Sequence, residues 1–167
     1  FLEQLGLNGC LADDMGLGKT MQVIARLVQE RETDAAVGPT LLIAPTSVIG
    51  NWQKETEKFA PCLRTLIHHG PDRAHNGNDF EQRLGGKDLV ITSYALVRRD
   101  QGLFAALDWH RVVLDEAQNI KNPAAAQTKA VNKLRARHRL ALTGTPVENR
   151  LMDLWSIFNF MNPGYLD

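Results

Sequence analysis

The sequence predicts an α/β fold in which a mainly parallel sheet carries helices on both faces. Six short runs rich in β-branched residues or leucine alternate along the chain with segments whose apolar residues recur with the period of a helix. The runs lack the alternation of apolar and polar residues that marks a strand with one face in water, so both faces of each strand should be covered. With 167 residues, 44% of them hydrophobic, the chain is long enough for one domain with its own core.

Strands and helices are predicted in strict alternation, beginning with a strand. The predicted strands are the apolar runs at 9–12, 40–44, 64–68, 88–92, 111–114 and 139–142. The predicted helices are the periodic segments at 19–31, 47–59, 78–84, 94–106, 123–134 and 148–161. Asn122-Pro123 predicts the start of the fifth helix, since asparagine is a favourable N-cap and proline suits the first helical position. Turns are expected at 75–78 and at Gly85-Gly86-Lys87.

Composition narrows the classes of function. Equal numbers of basic and acidic residues, 19 of each, give no net charge, so any contact with nucleic acid must be local. No apolar run approaches the roughly 20 residues of a membrane-spanning helix, and no signal-peptide pattern opens the chain. Cys10 and Cys62 lack the spacing of metal ligands and are expected to be buried free thiols in a reducing cytosol or nucleus.

A phosphate-binding loop is predicted between the first strand and the first helix. Glycines in such a loop let the backbone approach phosphate oxygens, Lys19 reaches the β- and γ-phosphates, and the Thr20 hydroxyl is a ligand for Mg²⁺. The generic loop has a glycine where this chain has Asp13. A glycine-rich helix start is the alternative, which the position between strand and helix disfavours. The predicted nucleotide-binding residues are Asp14, Met15, Gly16, Leu17, Gly18, Lys19 and Thr20.

An acidic pair, Asp115-Glu116, follows the apolar run Val112-Val113-Leu114. A magnesium nucleotide needs a carboxylate for the metal and a group that polarises the attacking water. Asp115 is therefore predicted to hold Mg²⁺ and Glu116 to activate water. An acidic pair after a strand is often only a helix N-terminus stabilised by its dipole, but the phosphate loop favours the catalytic interpretation.

A third polar segment, Thr143-Gly144-Thr145-Pro146, follows the last predicted strand. Two hydroxyls flank a glycine that can take unusual dihedral angles, ahead of a proline that fixes the chain. Such a turn can hydrogen-bond Gln118 or Glu116 and relay the nucleotide state, which makes Gln118, Thr143, Gly144 and Thr145 candidate coupling residues. Without the other motifs, the same turn would be interpreted as the cap of the helix after it.

The order and spacing of five segments carry a family resemblance. The segments are 11–20, Ala44-Pro45-Thr46-Ser47-x-x-x-Asn51-Trp52, Thr92-Ser93-Tyr94, 115–122 and 142–149. They resemble the motifs of the Swi/Snf family of helicase-like ATPases. The resemblance implies a RecA-like P-loop NTPase lobe, the first motor lobe of a superfamily-two translocase that uses ATP and Mg²⁺. Family members track along double-stranded DNA, usually without unwinding it.

The resemblance also assigns roles to single residues. It implies catalytic roles for Lys19, Asp115, Glu116 and Gln118, and Mg²⁺ ligation by Thr20 and Asp115. Most family members have histidine where this chain has Gln118, and glutamine keeps a donor and an acceptor but does not titrate.

Contacts to DNA are implied for seven residues that follow strands. Short hydroxyl side chains and backbone N–H groups suit contact with phosphates regardless of sequence, although serine and threonine also favour helix caps. The implied DNA-binding residues are Thr46, Ser47, His69, Gly70, Thr92, Ser93 and Tyr94. Trp52 is expected to pack in the core, with a platform for base stacking as the alternative, and Trp109 and Trp155 are also expected to be packing residues. Arg98, Arg99 and the basic run at 135–139 are expected to be solvated helix ends or partners of a helix dipole, with contact to DNA as the alternative.

Residues 1–167 are expected to form one N-terminal ATP-binding lobe of a longer motor that remodels protein–DNA complexes in the bacterial nucleoid or the nucleus. Phe1 is not an initiator methionine, and a second lobe with its arginine fingers is expected elsewhere in the protein. The family's adenine-reading glutamine is also expected upstream, because Gln4 lies too close to the phosphate loop.

Three alternatives remain for the function. One is a lobe of a strand-separating DNA or RNA helicase. Another is a non-catalytic module that binds nucleotide or a partner protein, which the intact Lys19, Thr20, Asp115 and Glu116 argue against. The third is a small-molecule kinase, which would leave the acidic motif and the turn at 143–146 unused.

Overall fold

Six parallel strands form one sheet with helices on both of its faces. The computed structural model describes residues 9–12, 16–34, 36–143 and 151–164, with side chains from residue 18 onward except those of 151–154. The strands are β1 (Gly9–Ala12), β2 (Thr40–Ala44), β3 (Thr65–Ile67), β4 (Leu89–Ser93), β5 (Asp108–Leu114) and β6 (Arg135–Thr143). They lie in the order β1-β6-β5-β2-β4-β3, and each neighbouring pair is parallel. The predicted fold class is confirmed.

Helices connect successive strands across the faces of the sheet. They are α1 (Gly16–Thr33), α2 (Ile49–Phe59), α3 (Gly77–Leu84), α4 (Tyr94–Arg99), α5 (Gln101–Ala105), α6 (Ala126–Asn132) and α7 (Leu151–Met161). Short 3₁₀ turns cover Thr46–Val48 and Ala117–Ile120. The predicted turn at 75–78 ends in a capped helix start, because the Asn76 side chain accepts a hydrogen bond of 2.9 Å from the Asp79 N–H. None of the helices in the described part of the chain is long and apolar enough to cross a membrane.

The core lies on both faces of the sheet, as the absence of polar alternation predicts. Along β2, Leu41 and Ile43 belong to one buried cluster, whereas Leu42 and Ala44 belong to the other. The first cluster includes side chains of α5, α6 and α7, and the second includes side chains of α1 and α2. Successive side chains of a strand point to opposite faces, so a strand covered on both sides must be apolar throughout.

The predicted helix at 94–106 is two helices, α4 and α5, which are separated at Asp100. The backbone there has φ −104° and ψ 28°. Its carboxylate accepts hydrogen bonds from Arg73 Nε at 2.7 Å and lies 2.8 Å from His68 Nε2. Asp100 is thus held by the connection after β3, and these contacts across the fold fix the break that the helical periodicity hides.

The fifth helix predicted from the sequence corresponds to α6, which begins at Ala126. This is three residues later than the Asn122-Pro123 signal predicts. The Asn122 side chain accepts a hydrogen bond from the Ala124 N–H at 3.0 Å, and its carbonyl accepts one from the Ala125 N–H at 3.1 Å. These bonds close a turn that competes with the helix for the same backbone groups. Asparagine therefore marks a turn here and not an N-cap.

The basic run at 135–139 lies in β6, so the prediction of a solvated helix end is wrong. Arg139 is buried, and its guanidinium carbon lies 5.0 Å from the centre of the Phe160 ring. Burial lowers the pKa of this guanidinium, and the Arg139 Nη2 group donates to the Leu134 carbonyl at 2.5 Å. The prediction that Cys62 is buried is also wrong, since this thiol is exposed in the turn after α2.

Candidate nucleotide and DNA site

The predicted site residues follow strands of a parallel sheet, so they meet at its carboxyl edge. Strands β1, β6 and β5 are neighbours. The phosphate loop leaves β1, Thr143 ends β6, and Asp115 comes directly after β5. Three segments that are far apart in sequence thus lie side by side, as the order of the strands requires.

The predicted phosphate side of the site is the first turn of α1. This helix begins at Gly16, so the backbone N–H groups of Gly16, Leu17 and Gly18 belong to a turn whose N–H groups have no partner within the helix. Such a turn favours negative charge. Lys19 is 5% exposed, and its Nζ donates to the Thr143 carbonyl at 2.5 Å. Asp13, Asp14 and Met15 lie outside the described residues.

The Asp115 carboxylate is held through both of its oxygens. Oδ2 accepts a hydrogen bond from the Trp52 indole N–H at 2.8 Å, and Oδ1 accepts one from the Glu116 N–H at 2.9 Å. Burial raises the pKa of this carboxyl group, although the two hydrogen bonds oppose the shift. A cation close to a partly buried carboxylate relieves the cost of its charge, and the hard oxygens of Asp115 and Thr20 are ligands that suit Mg²⁺. These residues therefore fit the predicted metal.

Glu116 adopts a left-handed backbone conformation, with φ 50° and ψ 58°. The Cβ atom makes this region costly for every residue except glycine, and such strain persists only where the surroundings fix it. Here the Tyr94 hydroxyl donates to the Asp115 carbonyl at 2.5 Å, and the Asn119 side chain donates to the Glu116 carbonyl at 2.8 Å. Backbone strain at the predicted water-activating residue is the behaviour expected of a functional position.

One hydrogen-bonded chain connects the two halves of the site. The Lys19 ammonium donates to the backbone of Thr143, and the Thr143 hydroxyl donates to Gln118 Oε1 at 3.3 Å. The Gln118 amide N–H donates to the Glu116 carboxylate. This arrangement supports the predicted coupling route through Thr143 and Gln118. Gly144 and Thr145 lie outside the described residues.

The predicted DNA-binding residues divide into an exposed group and a buried group. Thr46, Ser47 and His69 are exposed, and Gly70 has φ +85°, which favours glycine. The loop that contains His69 and Gly70 is anchored by Arg73, whose Nη1 donates to the Gly70 carbonyl at 3.0 Å. These four positions remain available to a phosphate backbone.

The second group, Thr92, Ser93 and Tyr94, is buried, so the structure does not support DNA contacts by its side chains. The Thr92 hydroxyl donates to the His68 carbonyl at 2.9 Å, and the Ser93 hydroxyl accepts from the Leu96 N–H at 3.2 Å as an N-cap. Burial raises the pKa of the Tyr94 phenol well above its ordinary value, and nearby Asp115 and Glu116 raise it further. These three buried side chains therefore stabilise the carboxyl edge of the sheet through hydrogen bonds within the protein.

Sequence reasoning missed two contacts of Asp115. It assigned Trp52 to core packing and Tyr94 to DNA, whereas both residues donate hydrogen bonds to Asp115. The residues are 63 and 21 positions from Asp115, and no local spacing connects them. The available signal is the order of the strands, since β2 lies next to both β4 and β5 and places their exits together.

Comparison with known proteins decides the family. The model of the SNF2-related domain matches residues 2–167. The chain belongs to this family. It is similar to the SWI2/SNF2 ATPase core of Sulfolobus solfataricus solved in complex with double-stranded DNA, with 46% identity and a TM-score of 0.85 over 98% of this chain and 33% of that one. The RecA-like lobe implied by the sequence is thereby confirmed.

Curated relatives come from bacteria and from eukaryotes. The chain is 51% identical over 166 residues to the ATP-dependent helicase/translocase YwqA of Bacillus subtilis, covering 99% of this chain and 18% of the relative. It is 40% identical over 179 residues to the TATA-binding protein-associated factor mot1 of Schizosaccharomyces pombe, covering 99% and 9%. The nuclear protein STH1/NPS1 of Saccharomyces cerevisiae is 39% identical over 158 residues, covering 94% and 12%. This chain thus spans less than a fifth of the length of each of these relatives.

Proposed function

We propose that this SNF2-related domain is the ATP-binding lobe of a DNA-stimulated ATPase that translocates on double-stranded DNA and remodels protein–DNA complexes. The observation that carries the proposal is the hydrogen-bonded chain from Lys19 through Thr143 and Gln118 to Glu116, next to the held carboxylate of Asp115. The phosphate side and the water-activating side are thus physically connected. A protein of this kind works where chromosomal DNA lies, in the bacterial nucleoid or the nucleus.

Different residues of the lobe bind the phosphates, the metal ion and the attacking water. The first turn of α1 and Lys19 hold phosphate oxygens, and an ammonium with three donors can bond both Thr143 and a phosphate. Thr20 and Asp115 hold Mg²⁺, which neutralises charge on the phosphates when bound. Glu116, oriented by Gln118, accepts a proton from the attacking water.

A second lobe elsewhere in the full protein completes the site. In support, the chain covers only 33% of the solved SWI2/SNF2 core that it matches. Arginines that stabilise charge on the transferring phosphoryl group are worth about 10³–10⁵ in rate in nucleotide hydrolases. We assign the DNA track of this lobe to Thr46, Ser47, His69 and Gly70, which contact phosphates without reading bases.

The test is the ATPase activity of the full-length protein with and without double-stranded DNA. Glu116→Gln should keep nucleotide affinity and abolish turnover, whereas Lys19→Ala should lower the affinity. Turnover of Glu116→Gln at the parental rate would refute the role of Glu116. Displacement of a strand from a duplex in the same preparation would favour the helicase alternative, and nucleotide binding without any hydrolysis would favour a non-catalytic module.

A further inference from the structure

Trp52 occupies a position that core packing alone does not explain. It lies on α2, 2% exposed, among the apolar side chains between α1, α2 and the sheet. Its indole carries a single N–H, and this N–H points at the carboxylate predicted to hold Mg²⁺, with 2.8 Å between Trp52 Nε1 and Asp115 Oδ2. A phenylalanine could fill much of the same volume, but it has no donor.

The contact restricts how the Asp115 carboxylate is presented. Oδ2 is bonded to the indole and Oδ1 to the Glu116 N–H, so rotation of the carboxylate plane would break at least one of two charge-assisted hydrogen bonds. A carboxylate has about four lone-pair sites. Each oxygen therefore keeps acceptor capacity for a metal ion or a metal-bound water while its direction is fixed.

The donor itself is held rigidly. An indole N–H is a donor only and finds an acceptor when buried. The ring is buried and belongs to a cluster of buried apolar side chains that also includes Leu42, Ala44 and Ile49. The packing fixes the ring, and the ring fixes the carboxylate.

From this geometry we infer that Trp52 is a positioning residue for the metal-binding carboxylate of Asp115, so that its indole N–H sets how tightly the lobe holds Mg²⁺. The inference rests on the proposed ATPase function, since it concerns the same site. It adds a metal-tuning role on α2 to a residue whose sequence context favours core packing.

Trp109 offers a matched control within the same lobe. It is 1% exposed, and its indole N–H donates to the Phe104 carbonyl at 2.9 Å. Trp109→Phe therefore removes a buried indole and its hydrogen bond just as Trp52→Phe does, but the lost partner is a backbone carbonyl and not the metal carboxylate. Effects common to both variants report packing, and effects of Trp52→Phe alone report the carboxylate.

The experiment measures nucleotide binding and turnover of the full-length protein as Mg²⁺ is varied. A fluorescent ADP analogue reports affinity without catalysis, in EDTA and across a Mg²⁺ titration. Loss of a partner that orients a metal ligand typically costs about 10- to 100-fold in metal affinity or activity. Trp52→Phe should raise the half-saturating Mg²⁺ concentration by about 10-fold or more in both assays. Its nucleotide affinity in EDTA, and both quantities in Trp109→Phe, should stay near the parental values.

Three results would overturn the inference. One is a half-saturating Mg²⁺ concentration in Trp52→Phe equal to that of Trp109→Phe. Another is an equal loss of nucleotide affinity with and without Mg²⁺, which indicates packing. The third comes from a variant in which 3-benzothienylalanine stands at position 52, which keeps the ring shape and exchanges the N–H for sulfur. The same variant serves as the test protein should Trp52→Phe fail to fold. A parental Mg²⁺ requirement in this isostere excludes the role of the N–H. A parent protein that never hydrolyses ATP would instead refute the proposed function.

Discussion

Neutralising Glu30 should destabilise the lobe strongly, although Glu30 lies far along α1 from the phosphate loop. Its carboxylate forms an ion pair with Arg111, whose side chain is 1% exposed, and Oε2 lies 3.3 Å from His110 Nε2. Glu30→Gln leaves the guanidinium of Arg111 buried without this carboxylate. Removing one partner of a buried ion pair costs about 3–5 kcal/mol. Because the Glu30 side chain is 11% exposed, we expect the lower end, about 3 kcal/mol.

Urea unfolding of the lobe, followed by circular dichroism, measures this loss. A loss of about 3 kcal/mol corresponds to a fall in Tm of roughly 6–12 °C for a chain of this size. The double variant Glu30→Gln/Arg111→Met should be less destabilised than the sum of the single changes, since both charges of the pair are gone. The control is Asp108→Asn, which removes an exposed ion pair with Arg135 at 3.1 Å and should cost roughly 0–1 kcal/mol. A Glu30→Gln variant as stable as Asp108→Asn would refute the reasoning.

Three further predictions concern the lobe. Purified 1–167 should fold but show negligible ATPase activity with or without DNA, and turnover above that of its Lys19→Ala variant would show that one lobe holds a complete site. Thr46→Ala combined with Ser47→Ala should weaken DNA binding by the full-length protein equally for all sequences and leave its salt dependence nearly unchanged, since a hydroxyl carries no charge and releases no counterions; a change confined to one sequence in a competition assay would contradict backbone contact. Burial keeps the pKa of His68 below its ordinary value of 6.5. The unfolded chain therefore binds the proton first, and stability should fall as the pH drops below about 6.5. Urea unfolding between pH 7.5 and 5 should show a smaller fall in His68→Gln, and an identical fall would exclude His68 as a source.

The sequence predicts the fold well, and it also predicts that the candidate nucleotide-site residues lie at one edge of the sheet, because both predictions rest on local signals. Apolar runs without polar alternation require a sheet covered on both sides, and β1 and β2 begin and end where those runs do. Lys19, Asp115 and Thr143 come from one edge of the sheet because each lies at or after the carboxyl end of a strand, and the strand order makes those three strands neighbours.

Where the prediction from sequence fails, the local structure is determined by contacts between residues that are far apart in the sequence. The break at Asp100 depends on Arg73 and His68, which no helical period records. The burial of Thr92 follows from its hydrogen bond to the connection after β3. Trp52 and Asp115 become partners only once β2 and β5 pair. A hydroxyl or an indole has the same local pattern whether it contacts solvent, DNA or another side chain, so burial has to be seen in the structure.

Polar contacts at the amino edge of the sheet anchor the C-terminal end of α1. Arg31 donates to the carbonyls of Gly38 at 3.0 Å and of Asp88 at 2.7 Å, which ties the end of this helix to the entrances of β2 and β4. Glu30 ties it to β5 through Arg111. Lys19 lies about 16 Å along the helix from this anchored end, so a tilt of only about 3–4° moves the ammonium by about 1 Å. The anchored end of α1 therefore lies at the edge of the sheet away from Lys19, and any tilt of the helix about that end would displace the Lys19 end most.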